Sequence, residues 1–144
     1  IARPFPHTGA GQSTTFVVPA LARRLHQARA RGDATIPAGN LAVVRDFLHV
    51  DDVIEAYVAL LRDGAPGAVY NVASGQPVRL ADLLARLAAM MGVSVQPVTD
   101  PALLRTGDIP HLVGDASRLR TRTGWTPRRT LDHALAEVIG AQAD

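Results

Sequence analysis

The chain contains no cysteine and no lysine. Without cysteine there is no disulfide, no thiolate nucleophile and no Cys-based zinc site within these residues. Without lysine, all 15 basic residues are arginine, which sets the pI near 9.9 although the net charge is only +2. Arginine suits bidentate recognition of phosphate and carboxylate. An all-arginine count also follows from codon composition, so phosphate contacts are expected from only one or two of them. Aromatic residues are scarce (three Phe, two Tyr and one Trp). Stacking platforms for nucleic acid are therefore few, and Arg118, Arg120, Arg122, Arg128 and Arg129 read as a solvated helix face.

Long apolar runs are also missing. The longest, Leu80 to Val95, is interrupted by Asp82 and Arg86, too short and too charged to span a bilayer. No basic segment followed by an apolar one opens the chain, so no signal peptide is expected. The first residue is Ile1, and the chain reads as one entered midway. There is no Gly-x-Gly-x-x-Gly, no phosphate-binding loop ending in Gly-Lys, and no Gly-x-Ser-x-Gly elbow. Only two glutamates occur, and no carboxylate pair is placed for acid–base work.

What remains is 144 residues, 47% hydrophobic, enough for one domain with a modest core. Pro and Gly make residues 1–15 an ordered loop. Helical spacing starts near Phe16, tolerates Pro19 in the first turn and stops at Gly32. Val43 to Val50 reads as a strand, and Asp51 or Asp52 as the cap of a helix with Val53, Ile54, Tyr57, Leu60 and Leu61 on one apolar face. Gly64 ends that helix, and Ala68 to Val72 reads as a strand. Leu80, Leu83, Leu84, Leu87 and Met91 mark a second clear helix, ended by Gly92. A strand over Val93 to Val98, an irregular stretch from Thr99 to Pro110, a short helix over Ala116 to Thr123 and a last helix from Thr130 complete an α/β pattern. Strands this few make a poor sheet alone, so some are expected to be edges awaiting partners.

Three places could carry chemistry. Arg45, after the Gly39-Asn40 turn, either grips a phosphate or pairs with Asp46 or Asp51 at the surface. Arg105 and Asp108 share a long loop, where they either hold complementary parts of one ligand or pair to stiffen it. His7 lies in a constrained loop and is a structural hydrogen-bond donor more readily than a catalyst. His26, His49, His111 and His133 are dispersed along the chain, and no metal is expected.

Ordered strings carry a further resemblance. Arg3 to Gln12 with Phe16 to Pro19, Gly39 to Phe47 with Val50 to Val53, Val69 to Gly75, Asp100 to Pro110, Gly114 to Ser117 and Thr123 to Pro127 occur in sequence. Together they resemble the C-terminal half of extended short-chain dehydrogenases/reductases, the NAD-dependent epimerase/dehydratase family, and most of all GDP-4-keto-6-deoxy-D-mannose reductases. GDP-mannose 4,6-dehydratases share several of them. The resemblance implies an α/β fold: the substrate-binding part, lacking most of the Rossmann sheet, with 1–15 following a Rossmann strand and 16–144 binding a sugar nucleotide. It implies that Arg45 contacts the diphosphate and that Arg105 and Asp108 hold diphosphate and ribose. It also places Arg23 on the helix bordering the nucleotide, Gly39 and Asn40 at the base, and His7 at the nicotinamide end of NAD or NADP. Two residues depart from the family pattern: Pro6 where asparagine is usual, and Ala10 where proline is usual.

The family's Tyr-x-x-x-Lys pair and glycine-rich cofactor loop do not occur in these residues, so the chain by itself is expected not to perform the hydride chemistry. The parent enzyme implied is a cytoplasmic NAD(P)-dependent nucleotide-sugar reductase or dehydratase. Its implied partners are a GDP-sugar, an N-terminal Rossmann half and, for the full protein, a second copy in a homodimer; no catalytic residue is assigned here, and neither nucleic acid nor membrane is expected to bind. A non-catalytic sugar-nucleotide-binding module is the alternative.

Overall fold

The structure, a computed structural model, describes residues 1–142. Among the described residues, nine short strands and five α-helices are interspersed, which makes the chain α/β as expected. Helix α1 (Val17–Arg31) ends at Gly32, whose φ of 72° is the left-handed conformation that suits glycine. Helix α3 (Leu80–Met91) buries all five residues of its apolar repeat. It packs with α1 and α5 (Leu131–Ala141) around one core built on Leu21, Leu25, Leu83, Leu87 and Leu135. A second core lies under α2 (Val50–Asp63) and α4 (Ser117–Thr123), centred on Val53, Val72, Leu119 and Trp125.

The strands form four small sheets. Residues 1–15 are more than a loop: β1 (Ala2–Pro4) pairs in parallel with β6 (Tyr70–Val72), and β2 (His7–Thr8) with β5 (Leu48–His49). Strand β3 (Thr35–Ala38) runs parallel to β8 (Gln96–Thr99). Strand β4 (Val44–Asp46) lies between antiparallel β7 (Pro77–Arg79) and parallel β9 (His111–Leu112). The segment expected as one strand over Val43 to Val50 is thus β4, a break at Phe47, β5 and the first residue of α2. Strands of two to four residues are too short for the alternation that sequence reading needs, which is why β3, β7 and β9 have no counterpart in the sequence pattern.

Neither Asp51 nor Asp52 caps α2. The cap is His49, whose Nδ1 accepts from the Asp51 N–H at 3.1 Å. Asp52 is instead wholly buried, its carboxylate accepting from the Arg128 and Arg129 N–H groups and from Arg129 Nη1. Its carbonyl accepts from Trp125 Nε1 at 3.1 Å. Arg129 also reaches Glu55, so it is a clasp within the fold and not a solvated arginine. Arg118, Arg120 and Arg122 are exposed, but each donates to a backbone carbonyl, of Val69, Ser74 and Asp63 respectively.

The expected apolar face of α2 is divided. Val53 and Ala56 point into the core, whereas Ile54, Tyr57, Val58 and Leu61 lie outside, Leu61 with 89% exposure. Beside them, the second edge of β1 has no strand partner among the described residues.

Helix α5 is seated through Glu137, whose carboxylate lies 3.2 Å from His49 Nε2. Partial burial works to raise the Glu137 carboxyl. His49, the Ala10 N–H and His133 beside it outweigh that and hold it below the ordinary glutamate range. A carboxyl lowered in the folded state stabilises the fold above its unfolded pKa, about 4.3. That stability is lost as pH falls through the lower folded value. Thermal melts taken from about pH 6 downward should therefore show an acid-side loss that Glu137→Gln reduces. An unchanged acid limb in the variant would remove Glu137 from this role.

Candidate functional site

A cleft of about 530 Å³ opens between the start of α1, the turn after β3, strand β4 and the segment 102–108. Its walls form for local reasons. Strand alternation sends neighbouring side chains of β4 to opposite sides, so Arg45 faces the cleft while Asp46 enters the interior. Asp46 is fully buried and accepts from Ser74 N and Oγ, Gly75 N and Gly114 N at 2.6 to 3.1 Å. This carboxylate ties β4 to the turn after β6 and to the loop before α4. It does not pair with Arg45, and neither does Asp51.

Gly39 and Asn40 both line the cleft. A Cβ at Gly39 would sit 2.6 Å from the Leu103 carbonyl oxygen, so glycine lets the 101–108 segment close down here. Asn40 Oδ1 accepts from the Ala42 N–H at 3.0 Å, which leaves its amide N–H groups to face a ligand. The stretch expected to be irregular includes a single 3-10 turn, Pro101–Leu103, started by Asp100 accepting from the Ala102 N–H.

Arg45, Arg105 and Asp108 are brought together, but not as the loop pair expected from sequence. Asp108 accepts from Arg45 Nη2, and Arg45 Nη1 donates to the carbonyls of Val44 and Ile109. Arg45 therefore latches the 105–109 loop onto β4. Arg105 lines the cleft without an ion-pair partner among the described residues.

Arg23 is exposed and does not line the cleft; the basic residue of α1 that does is Arg24. Helix phase is the reason. Arg24 lies three, four and seven residues after Leu21, Ala20 and Val17, all of them cleft residues, whereas Arg23 is turned about 100° away. The signal was present in the sequence, because the same spacing marks the α1 apolar face. Thr14, Thr15 and Phe16 also reach the cleft and were not singled out in advance. Pro6 lines it too and offers no amide where the family usually has one.

His7 stands apart from this lining. Its Nδ1 lies 3.0 Å from the Phe5 carbonyl oxygen, which can only accept. Nδ1 therefore carries the proton, and the neutral ring presents Nε2 as an acceptor. Gln12 holds the same loop through Thr8 Oγ1 and the His7 carbonyl.

Three guanidinium groups against one carboxylate make the cleft strongly cationic. Phe16, Val17, Leu21, Phe47 and Leu80 supply apolar wall beside them. Such a cleft suits a ligand with a multiply charged phosphate portion and a flat or weakly polar portion.

Known proteins match this chain over nearly its whole length. A GDP-6-deoxy-D-mannose reductase from Pseudomonas aeruginosa is 39% identical over 96% of this chain and 46% of its own length. A dTDP-L-rhamnose 4-epimerase from Burkholderia thailandensis is 34% identical, over 90% of this chain and 36% of that protein. The structure of RMD from Pseudomonas aeruginosa complexed with NADPH superposes with a TM-score of 0.88 at 36% identity, covering 98% of this chain and 47% of that one. The chain thus spans about half the length of the Pseudomonas aeruginosa relatives. The family described as GDP-mannose 4,6 dehydratase matches residues 1–138. With nearly the whole chain matched and the fold shared, this chain belongs to the GDP-mannose 4,6 dehydratase family, within the extended short-chain dehydrogenases/reductases.

Proposed function

We propose that the chain is the nucleotide-sugar-binding half of an NAD(P)-dependent oxidoreductase that reduces GDP-4-keto-6-deoxy-D-mannose. The observation that carries this is the cationic cleft, in which Arg24 and Arg105 have no ion-pair partner among the described residues while Arg45 holds the loop that bears Arg105. Two free guanidiniums converging on a diphosphate offset the cost of removing its charge from water. Gly39 and Asn40 stand at the base, and Asp108, held by Arg45, at the ribose. Arg24 takes the role that the resemblance assigned to Arg23.

The nicotinamide cofactor would supply hydride when bound, and it would be held mainly by residues outside this chain. His7 fits its nicotinamide end, because Nε2 is an acceptor able to take a carboxamide N–H. The exposed face of α2 and the unpaired edge of β1 suit a further sheet layer from the rest of such an enzyme. No described helix is long and apolar enough to cross a membrane.

A second reading, an epimerase or dehydratase of a dTDP- or UDP-sugar, is favoured by Pro6 and by the likeness to a dTDP-L-rhamnose 4-epimerase. Calorimetric titration of the chain with GDP, UDP and dTDP separates the two. The proposal expects saturable GDP binding, roughly 10-fold or more tighter than dTDP or UDP, a difference of about 1.4 kcal/mol. Preference for dTDP or UDP would support the second reading. No saturable binding of any of the three would overturn both.

A further inference from the structure

Two of the histidines that are dispersed in sequence meet in space. His49 at the end of β5, and His133 and Glu137 one turn apart on α5, direct ligand atoms that all lie within 4.8 Å of one another. None of the three lines the nucleotide cleft. His49 has only 1% of its side chain exposed, and its Nε2 has no hydrogen-bond partner of good geometry among the described residues. Glu137 Oε2 is 3.2 Å from that nitrogen, close enough but off the hydrogen-bonding axis. His133 Nε2 lies 3.4 Å from the other carboxylate oxygen of Glu137, and the two imidazoles are 5.2 Å apart, centre to centre.

We propose that His49, His133 and Glu137 form a binding site for a borderline divalent cation of the Zn²⁺ type, which pins α5 to the β2–β5 pair. Zinc–ligand bonds of about 2.0–2.1 Å give a tetrahedral edge near 3.3 Å, close to the 3.2 Å between His49 Nε2 and Glu137 Oε2. Two imidazoles and one carboxylate select Zn²⁺ over the hard, all-oxygen ions Mg²⁺ and Ca²⁺. A solvent molecule can complete the shell, since His133 is 55% and Glu137 35% exposed. His133 also has the freedom to rotate inward and close the remaining gap.

The tautomer of His49 balances. In the metal-free chain Nδ1 accepts the Asp51 N–H, so a neutral ring carries its proton on Nε2. Coordination through Nε2 moves that proton to Nδ1, where Asp51 Oδ2, now 3.9 Å away, is placed to accept it. A carboxylate behind a metal-bound imidazole is the usual supporting arrangement. The Asp51 N–H loses its acceptor in this change, so the site favours moderate over very tight affinity.

The test is titration of the untagged chain with ZnCl₂, with MgCl₂ as control, read by calorimetry and thermal melting. With no cysteine in the chain, imidazole and carboxylate groups are its main zinc ligands. The expected result is one Zn²⁺ per chain with a raised melting temperature, and no response to Mg²⁺. His133→Ala and Glu137→Gln, both on the exposed side of the cluster, should each weaken binding at least ~10-fold, the lower end of what loss of a metal ligand or its support produces. Equal binding by wild type and both variants, binding of several ions without a melting shift, or no saturable binding would overturn the proposal. None of these readouts involves the nucleotide cleft, so the result is independent of the GDP titration.

Discussion

Asp46→Ala should destabilise the chain by on the order of 4 kcal/mol, measured as a lowered midpoint in urea unfolding. The wild-type carboxylate accepts from three backbone N–H groups and one hydroxyl that come from separate parts of the chain. Alanine leaves the N–H groups of Ser74, Gly75 and Gly114 without this acceptor, and that of Gly114 lies buried with little room for water. A buried donor left unpaired costs about 1–3 kcal/mol. Replacement solvent is excluded here by close packing, since a Cβ on Gly114 would meet the Ala73 methyl at 2.3 Å and the Phe5 ring at 2.8 Å. Asp46→Asn should fall between alanine and wild type, because one oxygen still serves Ser74 while the amide faces donors. A loss below about 1 kcal/mol for alanine would mean that water replaces the carboxylate, and that this hub does not hold β4. GDP affinity should fall with it, because β4 carries Arg45 on its other side.

The second large effect concerns the cleft itself. Arg24→Ala should weaken GDP binding roughly 10- to 100-fold, as expected for losing a charged hydrogen bond of about 1.5–3 kcal/mol. Arg105→Ala should do the same, and the double variant should bind no GDP at accessible concentrations. Arg23→Ala is the matched control: same helix, same chemistry, adjacent position, but outside the cleft. It should leave affinity within about twofold of wild type. If Arg23→Ala were the more damaging of the two, the nucleotide would have to lie elsewhere on α1. Arg45→Ala should differ in kind. It removes the bonds to Asp108 and Ile109 that hold the loop, so melting temperature and affinity should fall together, whereas Arg24→Ala should lower affinity alone.

Legibility in the sequence followed the length of the repeating signal. Helices α1, α3 and α5 span three turns or more, and α1, α3 and α4 end at Gly32, Gly92 and Gly124, so periodicity or a glycine stop places each of them closely. Strands of two to four residues carry two full alternations at most, and several are evident only once paired. The half-exposed face of α2 was misread for a related reason. Ile54, Tyr57 and Leu61 look like core in a helical projection, yet no described element covers them.

The sequence by itself determined the α/β class, the main helices and their glycine stops, the family, and the set Gly39, Asn40, Arg45, Arg105 and Asp108 that shares one cleft. These rest on local spacing or on ordered strings, which survive without coordinates. Only the tertiary structure decided which partner each charge takes. Asp108 goes to Arg45 and not to Arg105, Asp46 to buried backbone N–H groups and not to an arginine, and Arg24 rather than Arg23 to the cleft. It also gathered His49, His133 and Glu137 from positions more than 80 residues apart. An ion pair or a ligand cluster depends on distances of a few ångströms between segments remote in the chain. Those distances are set by how α1, α5 and the short strands pack on the two cores, and no local pattern encodes them.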